Sequence, residues 1–461
     1  MSFKIFPRFN LVDDGATVTG LGSSFESTSL PVSNVQNADL SRVARLSVPG
    51  AFAGASFVEV DHSATNGPDP QGFALAALQF TTADASNSAP MVRVRQNTTS
   101  SSDFTYVADP TAIASETRAT HTLADLQEDP DDFTGTWPTF TGSAGQSSIL
   151  RVDVPSSGTL DTNAANLPGF SGTPGNGTGG HAVRLRVGVD ASGTDLTIVV
   201  RYYENGVLVN TLAYVADSTT LADQRITAGG IGVTAWIPPS LITTSTQAEV
   251  EVELTSTSGH ALCAAARVYW DIQPVYDSGF VSLYPSGWDR ATFPRTQGDQ
   301  FFHIYDSGDG NGARTRFDFF DAAWAPGDRV DVGRALIGAA ETPTSGWMLN
   351  GTSIGARDQS VITESLGGQA LAEQRVRRRR AAFQLNYVSE QFRRDWVAYW
   401  QQRKGLTGEI CVVPDSADTD NYFFDAIYGR MPTLNDFTVY TQTAAGNFWS
   451  LRLDVEELTV D

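Results

Sequence analysis

Cysteine is scarce in this chain. Cys263 and Cys411 are its only thiols, so one disulfide is the most it can form and no disulfide framework shapes it. Each lies in an apolar run, "ALCAAARVYW" and "EICVVPD", and reads as a small buried hydrophobe. With no C-x-x-C pair and five scattered histidines, a zinc-type site has no ligand set to draw on. Long apolar runs are missing too. No stretch approaches the ~18 residues a membrane helix needs. The opening "MSFKIFPRFNLVDDG" lacks the apolar centre of a signal peptide. The expectation is a soluble protein made in the cytoplasm, with no membrane partner.

Positive charge is also short. The chain has 31 Lys and Arg against 52 Asp and Glu, a net charge of −21, and Lys4 and Lys404 are the only lysines. Binding to DNA comes largely from neutralised phosphates, so such a chain is repelled by duplex DNA except at a local patch. Anionic membranes repel it as well. Catalytic signatures are absent from the pattern: there is no G-x-S-x-G elbow, no phosphate loop and no G-x-G-x-x-G leading from strand to helix. His62 in "VEVDHSAT" and His303 in "FFHIYD" read as ordinary strand or turn residues. In "DSGDGNG", Asp306, Asp309 and Asn311 stand at positions 1, 4 and 6 with Gly310 at 5. A calcium loop of the EF type needs acids at 1, 3 and 5 and glycine at 6, so a turn between strands is the favoured reading over an ion site. The expectation is no enzyme, no cofactor and no metal.

What the chain does have is glycine (42), proline (21) and 41% hydrophobic residues. Few charges and many turn formers point to short strands joined by tight loops. The length suits roughly two to four domains. "MVRVRQNTT" alternates Val92 and Val94 with Arg93 and Arg95, which predicts a half-buried strand. Residues 182–275 carry the clearest pattern. Val183, Leu185, Val187 and Val189 share one face, Asn205-Gly206 marks a hairpin, and Val250, Val252 and Leu254 alternate with glutamates. This predicts a β-sandwich or jelly roll of its own. Further on, Phe383, Leu385 and Tyr387 lie on a strand. Ser389 then caps a helix whose apolar face is Phe392, Trp396, Tyr399 and Trp400, and Gly405 ends it.

Three segments together resemble tail-tip (distal-tail-like) structural proteins of long-tailed bacteriophages. "SLPVSNVQNADLSRVARLS" resembles the opening of their jelly-roll module, and "GDRVDVGRALIGAAETPTSGWMLNGTS" resembles the strand that closes it. "ESLGGQALAEQRVRRRRAAFQLNYVSEQFRRDWVAYWQQRKGLTGEICVVPD" resembles their terminal module. The likeness covers roughly 20–100 and 280–461. It departs at Ala44-Arg45, where the pattern has Trp-Arg, so no role of that aromatic carries over.

The resemblance implies a mainly β protein. A jelly roll has its first half at 1–102 and its second at 276–345, and a β-sandwich is inserted at 103–275. A linker at 346–374 leads to a C-terminal β-α-β tail-docking module at 375–461. The implied role is a tail-tip or baseplate component of the virion. Its partners would be copies of itself in a ring or hub, and tube, hub or fibre proteins. Host-surface glycan stays open as a further partner.

Within 375–380 five of the six residues are arginine, an odd concentration in so acidic a chain. On a strand, Arg377 and Arg379 point to one side and Arg378 and Arg380 to the other. Contact with acids of a neighbouring subunit is the favoured reading of these four residues, a solvated strand face comes next, and nucleic acid is disfavoured. Two rival functions are a carbohydrate-binding adhesin and a glycan depolymerase. Trp137, Trp236 and Trp288, each beside turn residues, are the candidate glycan contacts; loop anchoring is the plainer account of them.

Overall fold

The fold was obtained as a computed structural model. It describes residues 3–13, 16–20, 29–47, 56–64, 70–82, 88–97, 105–108, 112–115, 137, 148–153, 181–189, 196–204, 206–216, 231–237, 248–256, 261–271, 276–285, 299–305, 312–321, 328–343, 353–358, 361–364, 370–373, 377–434, 436–443 and 446–459. The chain is mainly β. Its strands form antiparallel sheets, with one longer helical segment near the C-terminus.

The jelly roll is built from two sheets. In the first, Tyr276–Asp277, Met91–Asn97, Arg314–Phe320, Ser56–Asp61 and Thr17–Gly20 lie side by side, and Val281–Ser282 also pairs with Met91–Asn97. In the second the order is Asp299–Ile304, Gly72–Thr81, Arg329–Val332, Ala44–Ser47, and Arg334–Gly338 also pairs with Gly72–Thr81. Val58, Val60, Val92, Val94, Phe317 and Phe319 from one sheet pack with Phe73, Leu75, Phe80, Val330 and Ile337 from the other. The two sequence halves interleave: Arg314–Phe320 sits between Ser56–Asp61 and Met91–Asn97. Neither half can close this core alone.

The prediction of a half-buried strand at 91–97 needs correction. Arg93 and Arg95 are as buried as the valines between them. Both converge on Asp318 of the neighbouring strand, with Nε–Oδ2 distances of 3.0 and 2.7 Å, and Arg316 Nε reaches the same carboxylate at 2.8 Å. Burial opposes the charge on Asp318, but Arg316, Arg95 and Arg93 outweigh it and hold the carboxyl well below the usual range. The sheet therefore has an apolar face toward the core and a buried ionic face behind it.

The inserted unit starts and ends side by side. Gln96 pairs with Tyr276 and Arg95 with Asp277, so the excursion leaves and returns on adjacent strands. Insertion at such a point costs little chain entropy. The unit has two sheets, Ile231–Ile237, His181–Val189, Ala261–Asp271, Thr105–Ala108 and Val207–Ala216, Leu196–Glu204, Ala248–Ser256, Ser148–Asp153, Ala112–Ser115. Val183, Leu185, Val187 and Val189 are buried, as are Ile198, Val200, Val250, Val252 and Leu254. The expected hairpin joins Leu196–Glu204 to Val207–Ala216, and Gly206 takes φ +77° in its turn.

The C-terminal sheet runs Lys4–Phe6, Glu409–Val413, Ile427–Arg430, Gly446–Glu457, Arg377–Val388, Ser353–Asp358, and Phe437–Thr443 also pairs with Gly446–Glu457. Two features differ from the expected boundaries. Lys4–Phe6, at the start of the chain, is a strand of this last sheet. The stretch expected as a linker holds Ser353–Asp358, on the edge of the same sheet, and a hairpin of Val361–Glu364 with Ala370–Glu373. Their short alternations are diluted by Gly and Ser, so composition alone hides them.

The helix begins as expected. Ser389 Oγ accepts from the backbone N–H of Phe392 at 3.1 Å, and Glu390 sits in the first turn. After Asp395 the coil widens to a π-helix over Trp396–Lys404, ended by Gly405 at φ +59°. Trp396 and Trp400 stack at 5.3 Å and, with Phe392, cover one face of the sheet.

Candidate functional site: clamps and the opposite face of the C-terminal sheet

The C-terminal sheet is fastened to the jelly roll by both packing and charge. Cys411, Val413 and Tyr428 pack on Ala74, Ala76 and Leu336, the outer face of the second jelly-roll sheet. This is why "ALAALQF" and "RALIG" read as nearly continuous apolar runs: their strands are covered on both sides. Gly72 allows the closest approach, since a Cβ there would lie 2.5 Å from the Phe6 ring.

At the edge of this contact Arg334 joins three parts of the chain. Its guanidinium donates to both oxygens of Asp13 at 2.6 Å and to Glu409 at 3.0 and 2.6 Å. Burial opposes its charge, but Asp13 and Glu409 overcome that and raise its pKa further. Burial likewise works to protonate Glu409, and Arg334 beside it keeps the carboxyl below its ordinary value. Tyr428 donates to Glu409 as well. Lys404 Nζ donates to the carbonyls of Pro7 (2.6 Å) and Glu409 (3.0 Å) over the Trp400 ring. Burial lowers its pKa to about 8, against the pull of Glu409. A second fastening places Glu341 between Arg8 (3.4 Å) and the Trp400 indole N–H (3.5 Å).

The arginine run divides along its strand. Arg379, expected to meet a neighbouring subunit, is used within the chain instead. Its Nε reaches Glu457 at 2.8 Å, its Nη2 reaches Gln300 at 2.9 Å and its Nη1 reaches the Phe424 carbonyl at 3.1 Å. Its partners lie far off in sequence, so nothing near the run announces them. Arg380 points to the opposite face, 49% exposed, with Asp454 at 3.7 Å. Arg452, 64% exposed, shares that carboxylate at 3.4 Å. Arg378 is half-buried and opposite Arg357 in register, and the backbone of Arg377 pairs with Asp358.

The same face carries a feature the sequence pattern did not reveal. The strand Gly446–Glu457 is flanked by two β-bulges. On one side its pairing slips between Leu385 and Val388, and on the other between Val439 and Thr441. Each bulge turns a tyrosine outward. Tyr387, at φ +58°, is 48% exposed and Tyr440 is 42% exposed. Their rings meet edge to face at 4.7 Å, and Phe448 lies 6.2 Å from Tyr387. A side-chain hydrogen bond with Tyr387 raises the pKa of Tyr440. Beside them Gln384, Ser450 and Asn386 bond one another. Strict alternation is what locates a strand residue's face, and a bulge is where that rule fails.

The other candidates are placed as follows. Trp137 is half-buried, and the backbone of Trp236 lies in Ile231–Ile237 opposite Ala182. Trp288 and the "DSGDGNG" turn lie outside the described residues. Both cysteines are buried and unbridged, as their apolar surroundings predicted. His62 bonds the Thr315 hydroxyl at 3.0 Å, and His303 meets the Tyr276 hydroxyl. Among the described residues no group of His, Cys, Asp and Glu has the arrangement of a metal site.

No family model matches the chain, and no curated protein matches it. Among solved structures, the infectious bursal disease virus VP2 subviral particle is matched at 10% identity and a TM-score of 0.14, over 73% of this chain and 78% of that one. Dimeric latent PorU from Porphyromonas gingivalis is matched at 9% identity and a TM-score of 0.17, over 73% of this chain and 34% of that one. At those scores the matches carry no argument about function.

Proposed function

We propose that this chain is a structural component of a bacteriophage tail tip or baseplate. In this reading it assembles symmetrically with copies of itself, holds neighbouring tube, hub or fibre proteins, and presents its inserted sandwich toward fibres or the host surface. It turns over no substrate.

The observation that carries the reading is the nested order of the chain. Opening and closing strands interleave in one jelly roll, the insert leaves and returns on adjacent strands, and the terminal module is fastened back by Arg334 to Glu409 and by Arg379 to Gln300. That order matches the three segments whose sequences resemble the tail-tip proteins. It also gives the charged groups a mechanical use, since ion pairs with several hydrogen bonds fix geometry more than they add stability. Gold-labelled antibody against the purified chain should mark one end of the tail on intact particles from the producing culture. Label that stays in the soluble fraction, with bare particles, would overturn the reading.

A further inference from the structure

The strand Gly446–Glu457 packs Leu451, Leu453 and Val455 into the core on one face, and its opposite face takes no part in that core. It nonetheless carries a costly arrangement. A tyrosine at φ +58° is strained, and such strain persists where surrounding structure holds it for a purpose. Two bulges on opposite flanks of one strand converge to expose Tyr387 and Tyr440 beside the half-buried Phe448. Along the same strand face, Arg452 and Arg380 follow, both largely in solvent and sharing one carboxylate. Tyrosine and arginine on a shared face are the residues that most often anchor protein interfaces.

We propose that this aromatic and basic face is where a second copy of the chain docks. The proposal rests on the assembly reading above and names its surface. Charge selects the occupant. On this face Arg380, Arg430 and Arg452 stand against Asp454 and Glu456, which leaves local positive charge, while the chain as a whole is −21. Another copy is therefore an acidic partner present at equal concentration. Apolar exposure on both sides of the ribbon favours a protein over a sugar, which would stack on one side: Val439 is 58% exposed and pairs with Trp449, on the face away from Phe448. The contact joins unlike surfaces, so it is head to tail and closes into a ring where the rotation allows.

The test is mass photometry of the full chain across concentration and salt. It compares the natural sequence with Tyr387→Gly/Tyr440→Ser, where glycine keeps the backbone of the bulge, and with Arg380→Glu/Arg452→Glu. The natural chain should assemble, less readily as salt rises. Each double variant should weaken assembly about thirtyfold or more with circular dichroism unchanged. If the tyrosine variant fails to fold, the arginine variant decides alone. Assembly that survives both changes overturns this surface and leaves the structural role standing. A natural chain that stays monomeric throughout overturns the assembly reading itself. Selective binding of a glycan, lost in the tyrosine variant while assembly is kept, also overturns the proposal.

Discussion

At the scale of single residues, the chain spends its few cations on long-range contacts. Arg334 is the plainest case, because its loss leaves Glu409 half enclosed with no guanidinium. Arg334→Ala should cost about 3 kcal/mol in urea unfolding, the range for breaking a buried pair by removing one partner. A loss under about 0.5 kcal/mol, the level of an ordinary surface change, would show that the clamp is ornamental. The cysteines give a second test. Burial pushes the Cys411 thiol well above its ordinary value. Cys263 and Cys411 should both resist a thiol reagent until denaturant is added, and prompt labelling of the native protein would contradict their placement.

At the scale of elements, acid should loosen the jelly roll. Burial lowers both His62 and His303 to about 4, with Asp61 partly opposing this at His62. Beside them stand the Thr315 hydroxyl, Tyr276, Phe73 and Phe301, with Tyr305 against Tyr276. The unfolded chain takes up these protons near the ordinary histidine value and the folded chain only near 4. Stability is therefore complete above about pH 6.5 and falls as pH drops toward 4, by about 3 kcal/mol per histidine at most. Melting temperature should fall between about pH 7 and pH 4.5, and less steeply in His303→Phe. A flat profile would contradict neutral burial. The elements also show what sequence can reveal. The Ser389 cap and the alternations of 182–275 were legible because they depend on neighbours in sequence. The burial of Arg93 and Arg95 was not, because Asp318 lies 225 and 223 residues away. Tyr387 was placed on its strand correctly, but the bulge that turns it outward breaks the alternation used to read it.

At the scale of the whole molecule, the nested order makes the units unequal. Replacing 98–275 with a short Gly-Ser linker should leave the jelly roll and terminal sheet folded, because the ends to be joined lie on paired strands. Ending the chain before 377 should instead expose Ala74, Ala76 and Leu336 and give aggregates. Equal solubility of the two truncations would contradict the packing described. In the proposed function these units are arranged to join copies of the chain. Negative-stain imaging of the purified full-length protein tests it most directly. Closed rings of one repeating order are the predicted result, and isolated monomers at every concentration imaged would contradict it.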